Sequence, residues 1–113
     1  MNTLFDINSK VVHCKKESYD VYIGRSSDRH SHEHFGNPFS HRPGTQALII
    51  LKTREEAIEA FRQWLTGEYW NDVNVEQRQW ILANLHTLKG KILGCWCKPK
   101  SCHGDILFEL SNK

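Results

Sequence analysis

Residues 94–105 read Gly-Cys-Trp-Cys-Lys-Pro-Lys-Ser-Cys-His-Gly-Asp and hold three of the chain's four cysteines together with His103, Lys98 and Lys100. Thiols, an imidazole and ammonium groups at this density suit three kinds of chemistry. Cys102 and His103 fall where a final helix should begin. Free backbone N–H groups and the helix dipole favour negative charge there, which lowers a thiol pKa or holds a phosphate or carboxylate. Lys98 and Lys100 add to that field. The second chemistry is covalent catalysis, with Cys102 as nucleophile and His103 as acid/base, although neighbouring helical residues point about 100° apart. The third is zinc, since Cys95, Cys97, Cys102 and His103 supply four candidate ligands. The Cys-x-Cys spacing is poor for a zinc knuckle, and Cys95, ending an apolar run, reads as core, so no metal is assigned. Trp96 faces away from Cys95, as packing or as a stacking surface for a base.

Three further groups of residues carry polar chemistry. Arg25 and Ser26 follow the strand-like Tyr22-Ile23-Gly24, and a Gly-Arg-Ser turn brings backbone N–H groups and a guanidinium to a phosphate. Asn37, within Gly36-Asn37-Pro38-Phe39, either reads a ligand edge with its amide or fixes the backbone while Phe39 fills the core. His30, His32 and His34 alternate along a polar stretch, which reads as a solvated loop, an adventitious metal binder or a lid.

The elements that must position these residues follow from patterning. Lys10 to Lys15 and Tyr19 to Gly24 are short β-branched or aromatic runs, and Lys16-Glu17-Ser18 between them suggests a hairpin. Residues 25–45 lack a regular pattern and read as a long loop, a feature that is often functional. Thr53-Arg54-Glu55-Glu56 has the spacing of a capping box, so a helix starts there. Ala57, Ile58, Phe61, Trp64 and Leu65 form its apolar stripe, and Gly67 stops it. Asn74 to Gln77 offers a second cap, followed by Trp80, Ile81, Leu82, Leu85 and Leu88 at helical spacing, with the end near Lys89-Gly90. Ala47 to Leu51 is either a further strand or the lead-in to the first helix. Lys91 to Trp96 reads as a buried central strand, and Cys102 to Leu110 as a last helix. The order β-β-α-α-β-α describes a small α/β domain, a mixed sheet flanked by helices in a Rossmann-like arrangement.

At 113 residues the chain is read as one domain, with residues 1–9 a candidate flexible lead. Its 39% hydrophobic and 25% charged residues are those of an ordinary globular protein. No apolar run approaches the ~20 residues of a membrane span, and the start lacks a secretory signal. The expectation is a cytoplasmic protein with reduced cysteines. A net charge of +2 does not by itself indicate nucleic acid. Lys89, Lys91, Lys98 and Lys100 nevertheless crowd the cysteine segment, as solvated charge or as attraction for an anion.

Three blocks together resemble a known family: Val21-Tyr22-Ile23-Gly24-Arg25, Phe35-Gly36-Asn37-Pro38-Phe39, and Gly90 to Cys97 with Pro99 and Cys102-His103. The chain resembles the bacterial and phage family known as domain of unknown function 4326, from about Val11 to Leu110. The resemblance implies a compact α/β domain whose motif residues gather at one site, with no cofactor. Residues 28–34 lengthen the loop before Gly36 relative to the family pattern, so the ligand pocket is expected to be atypical. The expected function is binding of a small anionic, nucleotide-like or phosphorylated sugar-bearing metabolite, with hydrolysis or transfer at a glycosidic or phosphoester bond as the associated chemistry. Arg25, Ser26, Asn37, Lys98 and Trp96 are its candidate ligand-binding residues, Cys102 and His103 its candidate catalytic ones. The alternative is a non-catalytic phage or host accessory module that binds protein or nucleic acid, zinc-stabilised in one version.

Overall fold

β-branched and apolar residues make up most of the strands of the structure, a computed structural model that describes residues 10–26, 31–43 and 47–113. Strand β1 is Lys10–His13, β2 Val21–Tyr22, β3 Phe39–Ser40, β4 Ile49–Ile50 and β5 Ile92–Cys95. The helices are α1 Arg54–Thr66, α2 Val75–Asn84 and α3 His103–Ser111, with a 3-10 turn, Leu85–Leu88, after α2. Residues 1–9 and His30 lie outside the described residues.

Strands β1 and β2 do not form the expected hairpin. They lie on either side of β5, in the order β1-β5-β2, and both run parallel to it. The segment 14–20 carries the chain back across β5 instead of turning in place. Tyr19 lies against Gly94 so closely that a Cβ there would meet the ring at 2.6 Å. Asp20 then seals the entry to β2, its carboxylate accepting from the Ile92 N–H at 2.9 Å. The 47–51 segment resolves as a strand: β4 pairs in parallel with β3 to make a second, two-stranded sheet. Every pairing among the described strands is parallel, so the sheets are not mixed.

Helix α1 starts where the sequence places it. The Thr53 hydroxyl accepts from the Glu56 N–H at 3.0 Å, and the Glu56 carboxylate accepts in return from the Thr53 N–H at 3.2 Å, a reciprocal cap worth on the order of 1 kcal/mol. Gly67, at φ 81°, ends the helix in the left-handed conformation that glycine tolerates. Phe61, Trp64 and Leu65 are buried on its inner face against Phe39, Ile81, Leu93 and Leu107, while Ile58 is only half-buried. The α2 start differs from expectation. Asn74 adopts φ 41° and its side chain caps no backbone N–H; its amide donates to Gln77 Oε1 at 2.6 Å. Helix α2 closes at Asn84, and the 3-10 turn carries the apolar pattern to Leu88.

Among the described residues no helix is long and apolar enough to cross a membrane. The parallel alignment points the C-terminal ends of β1, β2 and β5 the same way, toward the segment 96–102 and the start of α3.

Candidate ligand pocket and thiol cluster

Beyond β5 the chain passes through Trp96, Cys97, the cis Lys98–Pro99 peptide, Lys100 and Ser101 before Cys102 caps α3. The Lys100 N–H donates to the Cys97 carbonyl at 2.9 Å, closing a turn. Asp105, in the first turn of α3, reaches back to this loop. One carboxylate oxygen accepts from the Cys102 N–H at 3.1 Å and the other from Lys98 Nζ at 2.6 Å. From the opposite wall, Arg54 at the start of α1 donates to the Ser101 carbonyl at 3.3 Å. The starts of two helices therefore face one cavity.

That cavity has a volume of about 440 Å³, within the roughly 300–1,000 Å³ of small-molecule sites. Lys16, Arg25, Arg42, Arg54, Lys98 and Lys100 line it, with His13, His41 and His103, and among the described residues no aspartate or glutamate does. Trp96 stands at its edge and is 55% exposed. The indole is held in place: Nε1 donates to the Tyr22 hydroxyl at 2.8 Å, His13 meets the ring edge-on at 5.9 Å, and Lys15 Nζ lies 5.4 Å from the ring centroid. Lys89 and Lys91 precede β5 and sit at its other end.

On the pocket floor the sulfurs of Cys95 and Cys102 are 3.1 Å apart, both residues being buried. Cys97 completes the cluster and is half-exposed. Donation from the Cys102 and Cys95 thiols, with a further contribution from Arg54, holds the Cys97 thiol far below the ordinary thiol range. The same neighbours, Cys95 and then Cys97, push Cys102 far above it, and burial adds to the shift. Of the three sulfurs, that of Cys97 is the half-exposed one, while Cys95 and Cys102 are buried.

Arg25 is half committed to the scaffold. Its Nε donates to the Asn37 carbonyl at 2.7 Å and Nη2 to the Phe39 carbonyl at 2.9 Å, so it ties β2 to the Gly36–Phe39 turn. Gly36 permits this approach, since a Cβ there would meet Arg25 Cα at 2.5 Å. The Asn37 amide is spent on the scaffold: Oδ1 accepts from the Phe39 N–H at 2.9 Å within the turn, and Nδ2 donates to the Ala57 carbonyl of α1 at 3.2 Å. His103 is buried edge-on against Phe61 at 5.1 Å, and its Nε2 lies 2.7 Å from the Ile23 carbonyl. A carbonyl only accepts, so Nε2 carries the proton. Burial lowers the imidazole pKa. Among the described residues no group of three or more His, Cys, Asp or Glu is arranged to hold a metal ion.

A family model described as Domain of unknown function (DUF4326) matches residues 7–113. The chain belongs to the DUF4326 family. It is also similar to an uncharacterized 12.4 kDa protein in the nrdA-td intergenic region of Enterobacteria phage T4, 32% identical over 104 residues that cover 92% of this chain and 78% of the relative. No solved structure matches it.

In this DUF4326 chain the three sequence blocks meet at one place. Arg25 grips the Gly36–Phe39 turn, His103 grips Ile23, and the 95–102 segment closes the pocket over both. Arg25, Asn37, Trp96, Lys98, Cys102 and His103 all line the main cavity. Ser26 does not; it lines a smaller one of about 180 Å³ behind Arg25 and Asn37, beside His32, His34 and Gln77. Sequence reasoning missed His13, Lys16, Arg42 and Arg54. Arg54 left a signal, because a cation in the first turn of a helix opposes the dipole and so calls for another purpose there.

Proposed function

We propose that this DUF4326 protein binds a phosphate-bearing, nucleotide-like metabolite in the 440 Å³ pocket. One observation carries the reading: among the described residues, six lysine and arginine side chains and no carboxylate line a cavity at the C-terminal ends of parallel strands, against the start of α3. Rossmann-like folds hold dinucleotides in the equivalent place, where backbone N–H groups and the dipole meet phosphate. Arg54, Lys100 and Lys16 supply the charge, the amides opening α3 supply directed donors, and Trp96 offers its exposed ring to a base. Arg25 and Asn37 shape the wall.

Binding is the function proposed here. The His103 Nε2–H, expected from the sequence to serve as acid/base, is committed to the Ile23 carbonyl, and among the described residues no carboxylate lines the pocket, so hydrolysis or transfer at a glycosidic or phosphoester bond would fall to the other imidazoles that line it, His13 and His41.

The test is thermal melting against nucleotides, ADP-ribose, sugar phosphates and inorganic phosphate. A ligand present at a hundredfold its Kd adds about 2.7 kcal/mol, roughly 10 °C for a chain of this size. The reading predicts such a shift with a phosphorylated nucleotide, its loss in Arg54→Glu, and none with the unphosphorylated nucleoside. Absence of any shift across the panel overturns it in favour of the accessory-module alternative.

A further inference from the structure

The phosphate-binding reading makes no use of the three sulfurs on the pocket floor. Cys95 is fixed at the end of β5 and Cys102 at the N-cap of α3, so two separate elements bring their sulfurs to 3.1 Å. Cys97 lies on the loop joining those elements and is the half-exposed member of the three. Cys102 is also within hydrogen-bonding reach of the Cys97 sulfur, so closing this pair to a disulfide's length of about 2.05 Å takes a displacement of the loop that carries Cys97. The surrounding charge selects what arrives, since a cavity whose described lining holds six lysines and arginines and no carboxylate attracts anions.

We propose that Cys97 and Cys102 form a thiol–disulfide exchange site for a small anionic disulfide, with Cys97 attacking and Cys102 resolving. The Cys97 thiolate attacks one sulfur of the ligand R–S–S–R. A Cys97–S–S–R bond forms, the ligand's own S–S bond breaks and RS⁻ leaves. Cys102 then attacks the Cys97 sulfur. The Cys97–S–S–Cys102 bond forms, and the second ligand half departs with the Cys102 proton as RSH. Two electrons pass from the protein sulfurs to the ligand, and no further oxidant is needed. Thiolate character at the attacking sulfur is what such exchange requires, and donation from two thiols and Arg54 supplies it at Cys97. Cys102 is the natural resolving partner, because a Cys95–Cys97 bond would close a ring across a single intervening residue. Cys95, against Cys102, keeps the resolving sulfur in place.

The experiment incubates the reduced full chain with glutathione disulfide and reads intact mass and peptide maps. The expected product is a Cys97–Cys102 disulfide. Cys102→Ser should stop at a glutathione adduct on Cys97, and Cys97→Ser should react no faster than the fourth cysteine, Cys14. Cystamine, a cationic disulfide, should react more slowly than glutathione disulfide with the wild type. Since Cys102→Ser alters a helix cap, a second measurement uses the unmodified chain: iodoacetamide at pH 6 should label Cys97 before Cys14. Labelling of Cys97 no faster than Cys14, a glutathione adduct that persists in the wild type, preference for cystamine, or a stoichiometric zinc ion shielding all three thiols would each overturn the proposal. None of these readouts depends on a nucleotide, so failure here is distinguishable from failure of the phosphate-binding reading.

Discussion

Replacing Asp105 with Asn should weaken the fold and strengthen anion binding at once. The Asp105 carboxylate caps α3 through the Cys102 N–H at 3.1 Å and neutralises Lys98 at 2.6 Å. An amide retains an acceptor for the cap but loses the charge at the helix start, a cost of about 0.3–1 kcal/mol. The ion pair adds about 0.2–1 kcal/mol and no more, because the Asp105 side chain is 41% exposed and water screens it. Together these predict a loss of roughly 0.5–2 kcal/mol, or about 2–8 °C in melting temperature. Lys98 is meanwhile left uncompensated beside the pocket. One extra unit charge about 7 Å from a ligand phosphate, at an effective dielectric of about 60, contributes about 0.8 kcal/mol, roughly a fourfold gain in affinity. The gain should shrink near 0.15 M salt, where the Debye length is about 8 Å. Paired melting curves and calorimetric titrations with a nucleoside diphosphate at low and physiological salt would read both effects. Unchanged or weaker binding at low salt in a folded variant would refute the placement of Lys98 on the ligand's side of the pocket.

Trp96→Ala should cost a base-bearing ligand about 1–3 kcal/mol of stacking while leaving the affinity for inorganic phosphate unchanged, and competition titrations would separate the two. Gln77→Leu should destabilise the chain by about 2–3 kcal/mol in urea melts. Gln77 is 1% exposed and donates to the Gly36 and His34 carbonyls at 2.8 and 3.2 Å, which leucine would leave unpaired. Stability should also fall on acidification. Burial lowers the His103 pKa in the fold below its ordinary 6.5, so the unfolded chain takes up the proton first. The contribution is complete above about pH 6.5 and declines below it by up to about 1.4 kcal/mol per pH unit. The decline between pH 7 and 5.5 should be shallower in His103→Gln, and equal slopes would contradict the burial argument.

Local chemistry proved legible and pairing did not. The Thr53–Glu56 capping box and the Gly67 stop are satisfied by side chains and backbone within a few residues, so the sequence carries them openly. Asn74 shows the limit of the same logic: its cap pattern is present, but the buried Gln77 takes its amide and the backbone goes left-handed. The segment between β1 and β2 resembles a hairpin turn because strand propensity says nothing about partners. The central position of β5 was legible in its short apolar run and is borne out, but its partners are fixed by elements far away in sequence, such as Asp20 on Ile92 and Tyr19 on Gly94. In the site, the motif residues were visible as unusual clusters and Arg54 as a cation in the first turn of a helix, whereas Arg42 and Lys16 look like ordinary surface charge until the fold turns them to one cavity. Cys97 and Cys102 were visible as thiols. Which of them carries the charge depends on the sulfurs and the arginine around each, and those contacts exist only in the folded chain.

The most direct test of the central claim is calorimetric titration of the reduced chain with a nucleoside diphosphate and with its parent nucleoside, at 50 and 200 mM salt. The account predicts saturable binding of the diphosphate that weakens as salt rises and disappears in Arg54→Glu, with no binding of the nucleoside. Equal binding of both compounds, or diphosphate binding indifferent to salt and to Arg54, would contradict it.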